Sequence, residues 1–189
     1  MNDLVDWRSI PGWFAFRTAY DDAVARAPDA KAQFVEVGSW KGRSTAFMAN
    51  AIAQSGKDIM FYAVDTWEGS EESEHKDDPD ITRLFEVFTA NISPVRRYVH
   101  PIQKPSVEAA LMFPAESLDF VWLDAGHTYG DVKADIAAWR PRMKPGAVMG
   151  GDDVHWGDGG VLRAVREAFP GQYTIKLGEG GWAYWEARL

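Results

Sequence analysis

Three aspartates with the chemistry of a cation site lie in two short stretches of the chain. Asp124 closes the apolar run 118–124, and Asp152 and Asp153 directly follow residues 147–151. Hard divalent cations such as Mg²⁺ bind carboxylate oxygens and keep positions open for water or substrate. Without a cation, three neighbouring carboxylates would repel one another and one would hold a proton. These residues predict a divalent cation site if the fold brings the two stretches together.

A loop between two glycines and a later aspartate have the features of a cofactor site. Gly38 and Gly42 enclose the sequence GSWKG and allow a sharp turn with close backbone approach to a ligand. Ser44 follows in the first turn of a predicted helix, where free N–H groups could hold a carboxylate. Asp65 ends the next predicted strand, where a carboxylate can accept both ribose hydroxyls of an adenosine cofactor. The loop lacks the G-x-G-x-x-G pattern, and Arg43 stands where a phosphate-binding loop needs lysine.

Strand and helix patterns alternate along most of the chain and would position these residues. Strands are predicted at 33–37, 59–65, 99–103, 118–124 and 147–151, and an antiparallel hairpin at 173–177 and 182–187. Helices are predicted at 12–27, 42–55, 81–91, 105–113, 129–142 and 160–169. The alternation predicts an α/β fold: a doubly wound, mostly parallel seven-stranded sheet of Rossmann-like type in one domain, 1–189. Ligands bind such sheets beyond the carboxyl ends of the strands, so the candidate residues should share one crevice.

Composition narrows the class of protein. The net charge of −8 argues against nucleic acid or an anionic membrane surface as the main partner. The absence of cysteine excludes disulfides and thiolate metal sites. The sequence has neither a signal-peptide pattern nor an apolar run of membrane-spanning length. We therefore expect a cytoplasmic protein with a small-molecule partner, and the aromatic-rich C-terminal hairpin could be the contact of a homo-oligomer.

Two segments could border the crevice. Residues 1–30 are predicted to form an N-terminal helical extension and could be one wall of it. Residues 68–80 contain seven acids and one lysine, which is typical of a solvated loop. The same segment could instead act as a lid over the crevice in which a substrate would bind.

The runs FVEVGSWKGRST, AVDTW and LDFVWLDAGHTYGDVKADIAAWRPRMKPGAVMGGDDV resemble the class I S-adenosylmethionine-dependent methyltransferases. They are most similar to the family of macrocin-type sugar O-methyltransferases and cephalosporin hydroxylase-like proteins, and distantly similar to catechol and caffeoyl-CoA O-methyltransferases. The resemblance spans about residues 33–155, with D-x-G-H-x-Y and the K-P-G turn as its more specific parts.

The resemblance implies a site for S-adenosylmethionine. Its methionine part would contact one group of residues, with Ser44 near the carboxylate: Glu36, Gly38, Ser39 and Gly42. Asp65 would bind the ribose with Trp67 close by, and Ser106 would lie against the adenine. Asp124 would lie where the methionine end meets the acceptor.

The resemblance also implies roles around the cation. In catechol-type enzymes the ligands are an aspartate after the fourth strand and an Asp-Asn pair after the fifth; here Asp124 takes the first place and the pair is Asp152-Asp153. A lysine three residues after the first aspartate takes the proton in those enzymes, and His127 has that spacing here. A histidine can do the same near neutral pH. These positions imply Mg²⁺-assisted O-methylation of a sugar or catechol-like hydroxyl.

Other interpretations stay open. The glycines could serve only the turn, the Asp152-Asp153 pair could only cap its loop, and His127 could be a hydrogen-bonded loop residue. His155 is a second candidate base, whereas His75 and His100 have no supporting pattern. Tryptophans 40, 67 and 156 could stack on a ligand ring or cover the crevice. The alternative functions are a nicotinamide-dependent oxidoreductase on the same fold and a non-catalytic cofactor-binding protein.

Overall fold

The computed structural model describes residues 4–28, 31–70 and 76–189, which form a seven-stranded sheet flanked by helices. The strands are β1 Ala32–Val37, β2 Ile59–Asp65, β3 Val99–Gln103, β4 Leu118–Leu123, β5 Met143–Gly151, β6 Tyr173–Leu177 and β7 Ala183–Arg188. The described α-helices are α1 Arg17–Arg26, α2 Arg43–Ser55, α3 Leu84–Asn91, α4 Ser106–Ala110, α5 Tyr129–Trp139 and α6 Gly160–Ala168. Among them, none has the length and apolar character that crossing a membrane requires.

The strand order is β3-β2-β1-β4-β5-β7-β6. Strands β1 to β5 pair in parallel, and β7 pairs antiparallel with both β5 and β6. The order reverses between β1 and β4, and in open α/β sheets this is where ligands bind. The predicted mostly parallel sheet with an antiparallel C-terminal hairpin is confirmed.

The central strands are apolar because helices cover both faces of the sheet. One face buries Phe34 and Trp122 beneath the N-terminal segment, α1 and α2, and the other buries Val35 and Trp185 against α5 and α6. Each large side chain taken out of water in this way contributes about 1.5–3 kcal/mol. This double-sided packing fixes the strand ends that carry the candidate residues.

Several elements differ in length from the sequence prediction. Helix α1 starts at Arg17 rather than at residue 12, because the preceding segment is irregular and buries Phe14 and Phe16 while it exposes Trp13. Strand β5 starts at Met143 rather than at residue 147, because Met143 already pairs with Leu118 before an irregularity in the ladder. The predicted helix 105–113 shortens to 106–110 and continues in tighter turns.

Candidate active site

The loop between β1 and α2 is pressed against the end of β4. Gly38 has a φ of +88°, and its N–H donates to the carbonyl of Val64 at 2.8 Å. A Cβ at this position would lie 1.9 Å from the carbonyl oxygen of Asp124. Only glycine can therefore occupy position 38. We call residues 38–42 the cofactor-type loop, and this close contact places the loop next to Asp124, the residue that follows β4.

Asp65 fixes the conformation of this loop by accepting hydrogen bonds from its backbone. One carboxylate oxygen accepts hydrogen bonds from the backbone N–H groups of Ser39 and Trp40, each at 2.8 Å. The other oxygen accepts from the N–H of Trp67 at 2.7 Å. An ionised carboxylate has about four acceptor sites, so one is left for a ligand hydroxyl. Ribose binding by Asp65 remains a prediction, and the structure adds a second role, which is to shape the loop.

Glu36 is buried beneath the same loop. The Tyr20 hydroxyl donates to one carboxylate oxygen at 2.7 Å, and the Ser39 hydroxyl donates to the other at 3.0 Å. The hydroxyl of Thr45 also donates to this group. Burial raises the pKa of Glu36 to about 7, although hydrogen bonds from Thr45, Ser44, Tyr20 and Ser39 oppose the increase. Its carboxyl group supports the loop from inside the protein, and its predicted contact with methionine stays a prediction.

This burial predicts a pH-dependent contribution of Glu36 to stability. A carboxyl group whose pKa is raised on folding binds its proton more tightly in the native state, so the free energy of unfolding falls as the pH rises from about 4.5 to about 7. The fall for a shift of this size is about 3 kcal/mol. In Glu36→Gln, urea unfolding at pH 5 and pH 8 should show a correspondingly smaller difference. The exposed Glu108→Gln should keep the wild-type difference, and equal differences in all three proteins would contradict the argument.

The carboxylates and His127 meet at the carboxyl edge of β4 and β5. Nε2 of His127 lies 3.0 Å from Oδ2 of Asp153 and 3.9 Å from Oδ1 of Asp124. One ligand atom from each of Asp124, His127 and Asp153 lies within 4.8 Å of the others. Asp153 has a φ of +57°, in the left-handed region that residues other than glycine rarely adopt. Asp152 lines the same cavity but is outside this closest group.

Two groups of this site, His127 and Asp152, have raised pKa values. Burial lowers the pKa of His127, but hydrogen bonds and charges from Asp124 and Asp153 outweigh it and raise the pKa to about 11. Burial, with the charges of Asp124 and Asp153, raises the pKa of Asp152 to about 8. At neutral pH His127 is therefore an imidazolium, which cannot accept a proton in this form. A divalent cation would compete with these protons for the same carboxylates.

One cavity of about 540 Å³ contains this cluster and the cofactor-type loop. The sequence-predicted residues in its wall are Gly38, Ser39, Trp40, Ser44, Asp124, His127, Asp152, Asp153 and Trp156. Pro11, Gly12 and Phe14 also line it, as expected if the segment 1–30 forms one wall. Its lining further includes residues to which the sequence analysis assigned no role: Arg43 and the turn residues Glu179 and Gly180. The other predicted cofactor residues, Glu36, Gly42, Asp65, Trp67 and Ser106, lie outside that wall.

Three of the residues outside the wall have contacts within the protein. Gly42 has a φ of +90° and caps α2. Trp67 is buried, and its indole N–H donates to the carbonyl of Trp40 at 3.0 Å. The hydroxyl of Ser106 accepts from the indole N–H of Trp139 at 2.9 Å. Their contacts with a cofactor stay predictions. His155 and His100 are exposed, and His75 lies outside the described residues.

Lys41 is a residue of the cofactor-type loop to which the sequence analysis gave no role. Its side chain is buried within the cofactor-type loop, and its ammonium group lies 2.7 Å from a carboxylate oxygen of Asp78 and 2.9 Å from one of Asp80. These contacts tie the loop to the end of the acidic segment 68–80, of which residues 71–75 lie outside the described part. The sequence contained a signal for this contact: a lysine within a predicted ligand loop needs an acidic partner if it is buried, and the acidic segment follows in the chain.

Replacing Lys41 by methionine should destabilise the protein. The substitution keeps the apolar stem but leaves two partly buried aspartates without their shared cation, so we expect the free energy of unfolding to fall by about 1–3 kcal/mol. Urea denaturation measures the change. The exposed Lys31→Met is the matched control and should stay within about 0.5 kcal/mol of the wild type. Equal urea midpoints for both variants would show that the ion pairs of Lys41 with Asp78 and Asp80 contribute nothing to stability.

Comparison with known proteins identifies the family. Residues 35–154, which run from β1 to the loop after β5, match the family model described as "Methyltransferase domain". The chain belongs to this family of methyltransferases. The match favours the class I methyltransferase interpretation of the sequence over the nicotinamide-dependent alternative.

One sequence relative and two solved structures are similar to this chain, and the solved structures share its fold. "Uncharacterized protein y4gI" of Sinorhizobium fredii is 28% identical over 158 residues, which cover 79% of this chain and 17% of that protein. Cofactor-bound Rv0187 from MTB has a TM-score of 0.64 at 17% identity and is matched over 97% of this chain and 84% of its own. The O-methyltransferase from Bacillus cereus in complex with SAH has the same TM-score at 14% identity, with coverage of 96% and 85%.

Proposed function

We propose that this methyltransferase transfers the methyl group of S-adenosylmethionine to a hydroxyl of a sugar or catechol-like small molecule with the help of a divalent cation. The observation that carries the proposal is the shared cavity. Its wall contains both the cofactor-type loop and the cluster of Asp124, His127 and Asp153. A donor held by the loop and an acceptor held by the cluster would meet inside it.

The loop residues fit the methyl donor. Gly38, Ser39 and Ser44 line the cavity, and α2 begins at Arg43, so its first N–H groups can face a ligand carboxylate. Asp65 lies outside the cavity wall but accepts three hydrogen bonds from the backbone around it, and a ribose hydroxyl would be the fourth donor. S-adenosylmethionine supplies an electrophilic sulfonium methyl group. The protein's task is then to align the acceptor oxygen and remove its proton, and alignment alone can contribute about 7–11 kcal/mol to lowering the barrier.

The cluster fits a hard divalent cation. Asp124 and Asp153 offer carboxylate oxygens within 4.8 Å of each other, and Asp152 adds a third carboxylate to the same cavity. Mg²⁺ at such a site would act as a Lewis acid that lowers the pKa of an acceptor hydroxyl. Asp124 and Asp153 would hold the cation, with Asp152 as a further candidate ligand.

His127 is our candidate for the proton acceptor. Its imidazolium form depends on the negative charges of Asp124 and Asp153. A cation that neutralises these charges favours the neutral imidazole, which lines the cavity and can take a proton. The same Nε2 atom could instead bind the cation, and His127→Ala separates the roles. As a base, His127 affects turnover but leaves Mg²⁺ affinity within about threefold, whereas as a ligand it affects both.

An acceptor screen tests the proposal. Purified protein is incubated with S-adenosylmethionine and either catechol or methyl β-D-glucopyranoside, with Mg²⁺ or with EDTA, and S-adenosylhomocysteine is quantified. We expect acceptor-dependent product with Mg²⁺ and a loss of at least about tenfold with EDTA. Product formation that is equal in EDTA would remove the cation from the proposal, and no product with either hydroxyl acceptor would contradict the substrate class.

A further inference from the structure

Three tryptophans with exposed rings surround the mouth of the cavity. Trp13 is 62% exposed, Trp156 is 41% exposed and Trp182 is 59% exposed, and all three belong to the cavity lining. They come from the N-terminal segment, the loop after β5 and the turn between β6 and β7. Large aromatic side chains left in water around one concave site are typical of a ligand-binding surface. We call these three residues the aromatic rim.

Backbone contacts hold the segment of Trp13 in place. The guanidinium of Arg43 donates to the carbonyl of Gly12 at 2.7 Å, and the N–H of Glu179 donates to the carbonyl of Ala15 at 2.8 Å. An ion pair between Arg17 and Glu179 closes the same junction. Residues 12–15 are thus bonded at one end to the start of α2 and at the other to the turn between β6 and β7. These two contacts fix the backbone that carries Trp13.

The other two rim residues are fixed next to the same site. The N–H of Trp156 donates to the carbonyl of Asp153 at 2.9 Å, and its ring centroid lies 6.0 Å from that of His127. The carbonyl of Trp182 accepts from the N–H of Gly178 at 2.7 Å. A molecule that contacts Trp156 therefore lies next to His127, and Trp13 and Trp182 line the same cavity.

The chemistry of the rim restricts the ligand further. An uncharged ring is the ligand that gains most from tryptophan faces, because stacking needs a flat or ring-shaped surface and no countercharge.

We propose that the aromatic rim binds the ring of the acceptor, and that the acceptor is an uncharged six-membered ring with adjacent hydroxyls. This inference rests on the proposed function, because it assigns the rim to the acceptor rather than to the methyl donor. An aromatic ring and a sugar ring share the required chemistry. Trp13, Trp156 and Trp182 are then determinants of substrate specificity, while the cation cluster determines which hydroxyl is placed for reaction.

Binding measurements test the rim without requiring turnover. Calorimetric titrations of catechol and of methyl β-D-glucopyranoside are performed with S-adenosylhomocysteine and Mg²⁺ present, with 1,2-propanediol as the ring-free diol. We expect a ring compound to bind at least about tenfold more tightly than propanediol. Trp13→Ala, Trp156→Ala and Trp182→Ala should each raise its Kd about three- to tenfold and leave the Kd of S-adenosylhomocysteine unchanged. The exposed Leu111→Ala, outside the cavity, should change neither.

Conservative variants distinguish stacking from general apolar contact. Trp182→Phe should retain most of the affinity for the ring, and Trp182→Leu should lose it. Wild-type Kd values in all three alanine variants, equal retention by Leu and Phe, or binding of neither ring by the wild type would overturn the proposal. Ring binding through the rim without methyl transfer would contradict the proposed function alone. Methyl transfer that is indifferent to all three tryptophans would contradict the rim alone.

Discussion

Asp153→Asn should lower kcat/KM for Mg²⁺-dependent methyl transfer by at least about 100-fold, because a cation that polarises the acceptor hydroxyl contributes several kcal/mol to lowering the barrier. Asp153 is the residue of the loop after β5 that belongs to the cluster. Its Oδ2 lies 3.0 Å from Nε2 of His127. Asparagine tolerates the left-handed backbone conformation of this position, so the variant should keep the loop. The substitution removes one negative charge and little else.

Two measurements make the Asp153 prediction specific. The affinity for S-adenosylhomocysteine, titrated without Mg²⁺, should stay within about threefold of the wild type, since the cofactor-type loop is separate from Asp153. Asp77→Asn removes the same charge from an exposed position of the acidic segment and should keep full turnover. Full activity in Asp153→Asn, or an equal loss in Asp77→Asn, would show that the cluster does not act through a cation.

The second large effect is expected for Gly38→Ala, which should lower the free energy of unfolding by about 3 kcal/mol or more and abolish cofactor binding. The new Cβ would lie 1.9 Å from the carbonyl oxygen of Asp124 and 2.8 Å from the backbone nitrogen of Ala125. Both are backbone atoms next to the ladder of β1 and β4 and cannot move aside as a side chain can. The loop must therefore shift, and the cluster after β4 shifts with it.

Gly56→Ala is the matched control for this substitution. Gly56 ends α2, the helix that the Gly38 loop precedes, and also has a positive φ, of +66°. A Cβ there would meet nothing within 4 Å, so only backbone strain of about 1 kcal/mol is expected. Urea unfolding and calorimetry with S-adenosylhomocysteine measure both effects. Similar losses in the two variants would mean that strain, and not the contact with Asp124, makes glycine necessary at position 38.

Much of the fold could be predicted because the strands are buried on both faces. Runs such as residues 59–65 and 118–124 are nearly continuous apolar sequences that end in an acid, and the structure has β2 and β4 there. The start of α1 could not be predicted from the helical spacing of Phe16 and Ala19. The preceding segment is irregular, and its backbone is bonded to a distant turn, where the N–H of Glu179 donates to the carbonyl of Ala15.

The site could be predicted where chemistry coincides with a strand end. Asp124 and Asp153 lie together because parallel strands end at one edge, and this follows from topology alone. The protonation of His127 could not be predicted, since it depends on an Asp153 oxygen only 3.0 Å away. The aromatic rim was predicted in part. Trp156 follows a strand end, whereas Trp13 and Trp182 reach the cavity through contacts between distant segments.

A crystal structure with S-adenosylhomocysteine and Mg²⁺ tests the central claim most directly. We predict that the homocysteine part contacts Gly38 and Ser39. We also predict that Asp124 and Asp153 bind the cation in the same 540 Å³ cavity. A cofactor bound away from this loop, or Mg²⁺ bound elsewhere while these two carboxylates keep their contacts with protonated His127, would contradict it.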